Sequence, residues 1–218
     1  MRTWYTSLMN TFYVVVGFIG AVILWSVWGH FSSRVEQTAY SVVDSKENYE
    51  VRIYPAHIVA QTVVKGSYQQ ALNQGFSIVA RYIFGGNTKK ESIAMTSPVI
   101  EKTIQSESIA MTSPVTETVE GESHTIAFGM PRSYTLETLP APNDDRVKIV
   151  TIPEKKMAAL RFSGMRTNAR VQSKKQQLLD SLKKDNVVVA GAVQYAGYNA
   201  PWTPPWMTRH EVLVEVGR

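Results

Sequence analysis

The chain contains no cysteine among its 218 residues. That absence removes disulfides, thiol nucleophiles, Cys-ligated zinc, iron–sulfur clusters and covalent c-type haem attachment. It also agrees with an oxidising compartment without requiring one. Signatures of common enzyme chemistries are missing too: there is no Gly-x-Ser-x-Gly elbow, no phosphate loop and no dinucleotide fingerprint. His210-Glu211-Val-Leu-Val214 begins like a zinc-protease helix, but the second histidine is a valine and the residues alternate like a strand. Asp144-Asp145 lies in the Pro-rich stretch 140–145 and reads as an exposed turn. Nothing here argues for an enzyme, and the expectation is a binding protein. Lys and Arg exceed Asp and Glu by 23 to 18, yet the basic residues are scattered in pairs with no stripe interleaved with aromatics, so nucleic acid is not expected as a partner.

Charge is absent from Thr3 to Ser33, and within that stretch Phe12–Gly29 is apolar at every position but Ser26. Eighteen helical residues at ~1.5 Å each extend about 27 Å, against a hydrocarbon core of about 30 Å. Trp4 and Tyr5 precede the run and Trp25 and Trp28 lie near its far end, as interfacial aromatics do. A cleaved secretory signal is the rival reading, but it has a shorter apolar part and a small-x-small site that Trp25–His30 does not offer. The expected organisation is a single-pass transmembrane anchor and linker over residues 1–39 and one globular domain over 40–218. Arg2 before the run and Arg34 and Glu36 after it favour an extracytoplasmic domain, on a narrow margin.

The domain reads as α+β. Tyr49–Ile53 alternates like a half-buried strand, Pro55 interrupts, and His57–Val64 resumes. After Gly66 and Ser67 a helix follows, with Tyr68, Leu72, Phe76, Val79 and Ile83 on one stripe and Gly85-Gly86-Asn87 ending it. The order returns in Val147–Ile152, a Pro153 turn, Met157–Phe162, Ser163-Gly164, a cap at Thr167 or Asn168, and a helix with Leu178, Leu179 and Leu182. Two pseudo-symmetric halves are therefore expected, their strands forming a distorted antiparallel barrel or sheet with two long helices. A second repeat is literal: Glu91–Val99 recurs unchanged as Glu107–Val115. Too short for a solenoid unit, it is expected to form two adjacent strands with Met95 and Met111 on one face, as core fillers or as the wall of a soft pocket.

The paired Ile-Ala-Met-Thr-Ser-Pro-Val segments, Tyr49-Glu-Val-Arg-Ile-Tyr54, and Tyr195-Ala-Gly-Tyr-Asn199 running through Trp202-Thr-Pro-Pro205 into Arg209-His-Glu211 together resemble the SOUL haem-binding family. The likeness covers about residues 40–218. It implies non-covalent binding of haem or a related tetrapyrrole at a hydrophobic cleft. Carried over motif by motif, it implicates Asn73, Phe76, Ser77, Ala80 and Arg81 of the first long domain helix with Trp202, Thr203 and Met207 of the loop before the last strand. Phe76 and Trp202 offer flat apolar area, and Arg81 a cation for a propionate. The axial histidine argued for some members falls at Ile53, leaving the metal ligand unknown and His57, four residues on, a candidate. Three readings remain: a membrane-tethered haem carrier, scavenger or buffer; a module for another lipophile or a protein partner; and an enzyme acting on such a lipophile.

Overall fold

A computed structural model describes residues 2–32, 35–89, 105–200 and 202–217, with backbone alone for 2–11 and 29–32. The helices are α1 (Arg2–Ser32), α2 (Tyr68–Ile83) and α3 (Asn168–Lys184). The first six strands are β1 (Glu36–Gln37), β2 (Ser41–Ser45), β3 (Glu50–Tyr54), β4 (His57–Lys65), β5 (Asn87–Thr88) and β6 (Thr112–Ser113). After them come β7 (Val115–Glu120), β8 (Ser123–Gly129), β9 (Ala141–Pro142), β10 (Lys148–Ile152), β11 (Lys155–Phe162), β12 (Gln194–Gly197) and β13 (His210–Glu215).

Nine strands form one antiparallel sheet in the order β10-β4-β8-β7-β12-β13-β11-β3-β2. Its symmetry explains the internal repeat. β3 pairs with β11 and β10 with β4, so the two strands of each half do not pair with one another; each joins a strand of the other half. Matching the pairings places Val51, opposite Ala158, in the role of Ile149, opposite Ala60. The correspondence lies two residues beyond the one that the leading valines Val51 and Val147 suggest. A pseudo-two-fold axis then runs between β7 and β12, exchanging α2 with α3 and the β7–β8 pair with β12–β13. The fold is thus the expected α+β arrangement of two related halves, with the strands in an open, curled sheet.

Both domain helices cover the same face. α2 buries Leu72, Val79, Tyr82 and Ile83 on Val64, Ile126 and Phe128, while α3 buries Val171, Leu178 and Leu182 on Leu160, Val212 and Val214. Gly75 lets α2 sit close to β8, because a Cβ there would meet Ile126 Cγ1 at 2.5 Å. Thr167 caps α3 by accepting from the Arg170 amide at 3.3 Å. The literal repeat behaves differently from expectation. Its first copy, with Met95, lies outside the described residues. Its second copy is no single strand: Ser108 forms an isolated bridge to Phe84, Ile109 is buried in the α2 core, and only Thr112–Ser113 and Val115 enter β6 and β7. Met111 packs against that core as a filler.

α1 is helical throughout, and its described side chains, Phe12 to Trp28, are largely exposed and apolar. Among the described residues no helix is long and apolar enough to cross a membrane; the expected span over residues 12–29 runs past the described side chains of α1, which end at Trp28.

The face opposite the helices holds a buried polar network. Arg52, 2% exposed, donates from Nη1 to Glu211 Oε2 at 2.7 Å and from Nη2 to Oε1 at 3.2 Å. Tyr198 Oη donates to Glu211 Oε2 at 2.7 Å and Arg209 Nη2 to Oε1 at 2.8 Å. Burial pushes the Glu211 carboxyl up, but the hydrogen bonds and charge of Arg52, joined by Tyr198 and Arg209, outweigh it and hold the group below the usual carboxylate range. Glu211 therefore contributes stability that is complete above an unfolded-state value of about 4.3 and is lost as pH falls through its depressed folded value. Glu211→Gln is expected to cost about 3–5 kcal/mol by stranding a buried guanidinium, and to flatten the acid limb of stability. Urea unfolding of wild type and variant across pH 3–7 checks both effects.

Candidate functional site

Between α2 and the segment that leads into α3, the helix-facing side of the central strands β7 and β12 is left open. A cleft of about 610 Å³ lies there, within the size range of small-molecule sites. Leu72, Asn73 and Phe76 of α2 form one wall. Gly164, Met165 and Arg166 line it before α3, and Thr203, Pro205 and Thr208 close it from the loop before β13. Phe76 rests on buried Phe128 with ring centroids 5.2 Å apart and remains 39% exposed, so it offers apolar area to an occupant. Arg166, an exposed cation, lies with its Cζ 5.4 Å from the centroid of Tyr195.

The floor is polar and follows the pseudo-symmetry. Glu117 sits opposite Tyr195 across the axis, and their neighbours His124 and His210 occupy matching positions on β8 and β13. His210 Nε2 lies 3.0 Å from the Gly164 carbonyl, which can only accept, so the proton is on Nε2 and Nδ1 accepts from Tyr195 Oη at 2.7 Å. Burial lowers the His210 pKa, opposed by the Gly164 contact and helped by Arg166 and Arg170. Burial likewise pushes the Tyr195 and Tyr68 phenols up to about 12, the latter with help from the Glu117 charge. In the other pair His124 Nδ1 donates to Glu117 Oε1 at 2.9 Å. Glu117 is 1% exposed, and among the described residues its second oxygen, Oε2, has no partner at hydrogen-bond distance, the Tyr68 phenol being the nearby donor whose pKa its charge raises.

Of the residues implicated in the sequence, Asn73, Phe76 and Thr203 meet in this cleft. Ser77 is exposed beside Phe76, and Ala80 is buried a turn further on. Trp202, 56% exposed, and the half-buried Met207 belong to the loop that supplies Thr203 without lining the cleft themselves. Arg81 lines a separate hollow with Asn143, Asp144 and Asp145; hydrogen bonds from Arg146 hold the Asp144 carboxyl low there, with the Arg81 charge a smaller contribution. His57 lies on the other face of the sheet, its Nδ1 2.8 Å from the Pro55 carbonyl, beside a cavity of about 150 Å³ of mixed lining, with Val59, Met157 and Leu213 next to Gln61, Thr116 and Gln194. Among the described residues no three His, Cys, Asp or Glu side chains are grouped to hold a metal ion.

Glu117, Tyr195, His210 and Arg166 were not singled out for the site from the sequence. For Glu117 a signal existed: in Val115-Thr-Glu-Thr-Val119 the acid shares a face with two valines, an unusual place for a carboxylate in a half-buried strand.

Tyr195→Phe removes the donor that holds His210 Nδ1 in its neutral form. The variant should lose about 1–3 kcal/mol, read from denaturant midpoints, and its His210 ring should titrate at higher pH by NMR.

The SOUL heme-binding protein family matches residues 35–215. Heme-binding protein 2 of Homo sapiens is 29% identical over 156 residues, covering 71% of each chain. Among solved structures, the EcmrR C-terminal domain superposes with a TM-score of 0.54 at 10% identity, over 82% of this chain and 98% of that one. A conserved protein from Listeria innocua does so at 0.50 and 13% identity, over 79% and 93%. At such identities these two likenesses speak for the fold alone. The family match runs through residues 35–215, taking in the motifs that Arg52 and Glu211 tie together, and on that ground the chain belongs to the SOUL heme-binding protein family.

Proposed function

We propose that this protein holds haem or a related tetrapyrrole non-covalently in the cleft on its pseudo-two-fold axis, as a carrier, scavenger or buffer tethered to a membrane through the apolar residues 12–29. The observation that carries the reading is the cleft itself in a chain of this family: about 610 Å³, with Phe76, Leu72 and Met165 as apolar walls and Arg166 at its edge. A macrocycle would lie against Phe76 and Leu72, and Arg166 rather than Arg81 would pair with a propionate, since Arg81 already faces Asp144. His210 has both ring nitrogens engaged, so binding rests on apolar contact rather than on this histidine as an iron ligand. Haem, when bound, supplies the iron and any redox chemistry; the residues of the cleft bind and orient it. Support for the tether comes from the uncharged stretch Thr3–Ser33 and the exposed apolar side chains of α1. The sparse flanking charges favour an extracytoplasmic domain.

One observation favours a second reading. A buried carboxylate oxygen without a partner, Glu117 Oε2, suits a lipophile that presents an N–H or O–H donor to the cleft floor.

Hemin titration of the full chain in nanodiscs, followed at the Soret band, tests the first reading. Saturation at one hemin per chain is expected, weakened about tenfold by Phe76→Ala through lost apolar contact. Arg166→Ala should also weaken it and Arg81→Ala should not. Non-saturating binding indifferent to Phe76→Ala would contradict the proposal and favour the donor-bearing lipophile.

A further inference from the structure

The loop that closes one side of the cleft is also the part of the domain that α1 touches. Trp25 Nε1 donates to the Trp202 carbonyl at 2.9 Å, and the Trp25 ring stands edge-on to Trp206 with centroids 5.5 Å apart. These contacts leave much of the indole surface in the open: Trp25 is 44% exposed, Trp202 56% and Trp206 57%, with Trp28 beyond them at 68%. In the same loop, Thr203, Pro205 and Thr208 line the cleft. Met165, 67% exposed, stands on the cleft wall beside Arg166.

Tryptophans of an apolar helix and a polar domain therefore meet here, with the Trp25 and Trp206 rings in contact, exposed Trp202 in the same loop and Trp28 about a turn further along the helix. A cluster of this kind is unfavourable in water. It is well placed in a lipid headgroup layer, where an indole keeps its apolar body among the acyl chains and its N–H on a polar partner. Position agrees with composition, because Trp25 lies about 6 Å of helix short of the end of the apolar run at Gly29, at the level where an interface is expected if that run is in the bilayer.

We infer that the Trp202–Trp206 lip is a membrane-docking surface, seated in the headgroup layer by Trp25, so that the cleft opens onto the bilayer and exchanges its ligand with the lipid leaflet. The inference rests on the tethered-cleft reading above. It goes beyond a flexible tether, because it fixes the domain against the surface with one particular side down.

The full chain in phosphatidylcholine vesicles carrying acyl-chain bromines near the headgroup tests it, with Trp202→Phe/Trp206→Phe as the comparison. Bromine quenching of tryptophan emission is expected in wild type, with a component lost in the double variant. Trp206→Phe alone, which keeps a ring against Trp25, replaces the double variant if that one does not fold. A chain that stays in the membrane through an alkaline carbonate wash but shows no quenching from Trp202 and Trp206 would overturn the inference and leave the tether standing. So would an emission shift that follows protein concentration in place of bromine, which would mark the lip as a contact between copies. Release by carbonate would overturn the tether and the docking surface together.

Discussion

The Arg52–Glu211 pair is the contact on which the rest of the domain depends. It joins β3 to β13 across the intervening β11, and Arg209 carries the network on to Gln37 and Tyr40 in the arm that follows α1. Arg52 also lies 4.2 Å from the Tyr40 ring centroid, and Arg209 3.9 Å from that of Tyr198. Two guanidiniums and one carboxylate taken out of water cost more than a single surface pair returns, so the arrangement holds only because nearly every polar atom is matched. It does so on the face away from α2 and α3, which leaves the helix-facing side free to form a site.

That site follows from the pseudo-symmetry. Each helix covers its own half of the sheet, and the strands at the axis, β7 and β12, fall between them. Matching positions there carry different chemistry. Tyr195 donates to His210, while His124 donates to Glu117, so the two histidines play opposite hydrogen-bonding roles in equivalent places. A symmetric frame thus has an asymmetric floor, with a satisfied neutral pair under one half and a carboxylate with a spare oxygen under the other. The loop that completes the cleft is the one that meets the N-terminal helix, which links α1 to the site through Trp25.

Much of the scaffold was legible in the sequence because alternation and helical stripes report burial directly. The strands around Pro55 and Pro153, both helices and the Thr167 cap all follow from local pattern. Pairing did not: that β3 joins β11 and β10 joins β4 is a non-local choice that no residue of either strand announces. Of the literal repeat only the second copy lies within the described residues, and its contacts with the end of α2 and with β1 break it up, which its letters alone do not announce. In the site, the family resemblance implicated Asn73 and Phe76, which meet in the cleft, and also Arg81, which the turn of the helix brings to acids in another hollow. The motifs that carried the family likeness turn out to be largely structural, since Arg52, Tyr54, Tyr198 and Glu211 share one buried network.

The central claim is the location of the ligand on the pseudo-two-fold axis, and paramagnetic broadening of backbone amides by hemin measures it most directly. The account predicts loss of signal around Leu72–Phe76, Glu117, Arg166 and Tyr195, with the amides of His57, Gln61 and Lys155 on the far face retained. Broadening centred on His57 and Gln61 would place the ligand in the opposite cavity and contradict the account.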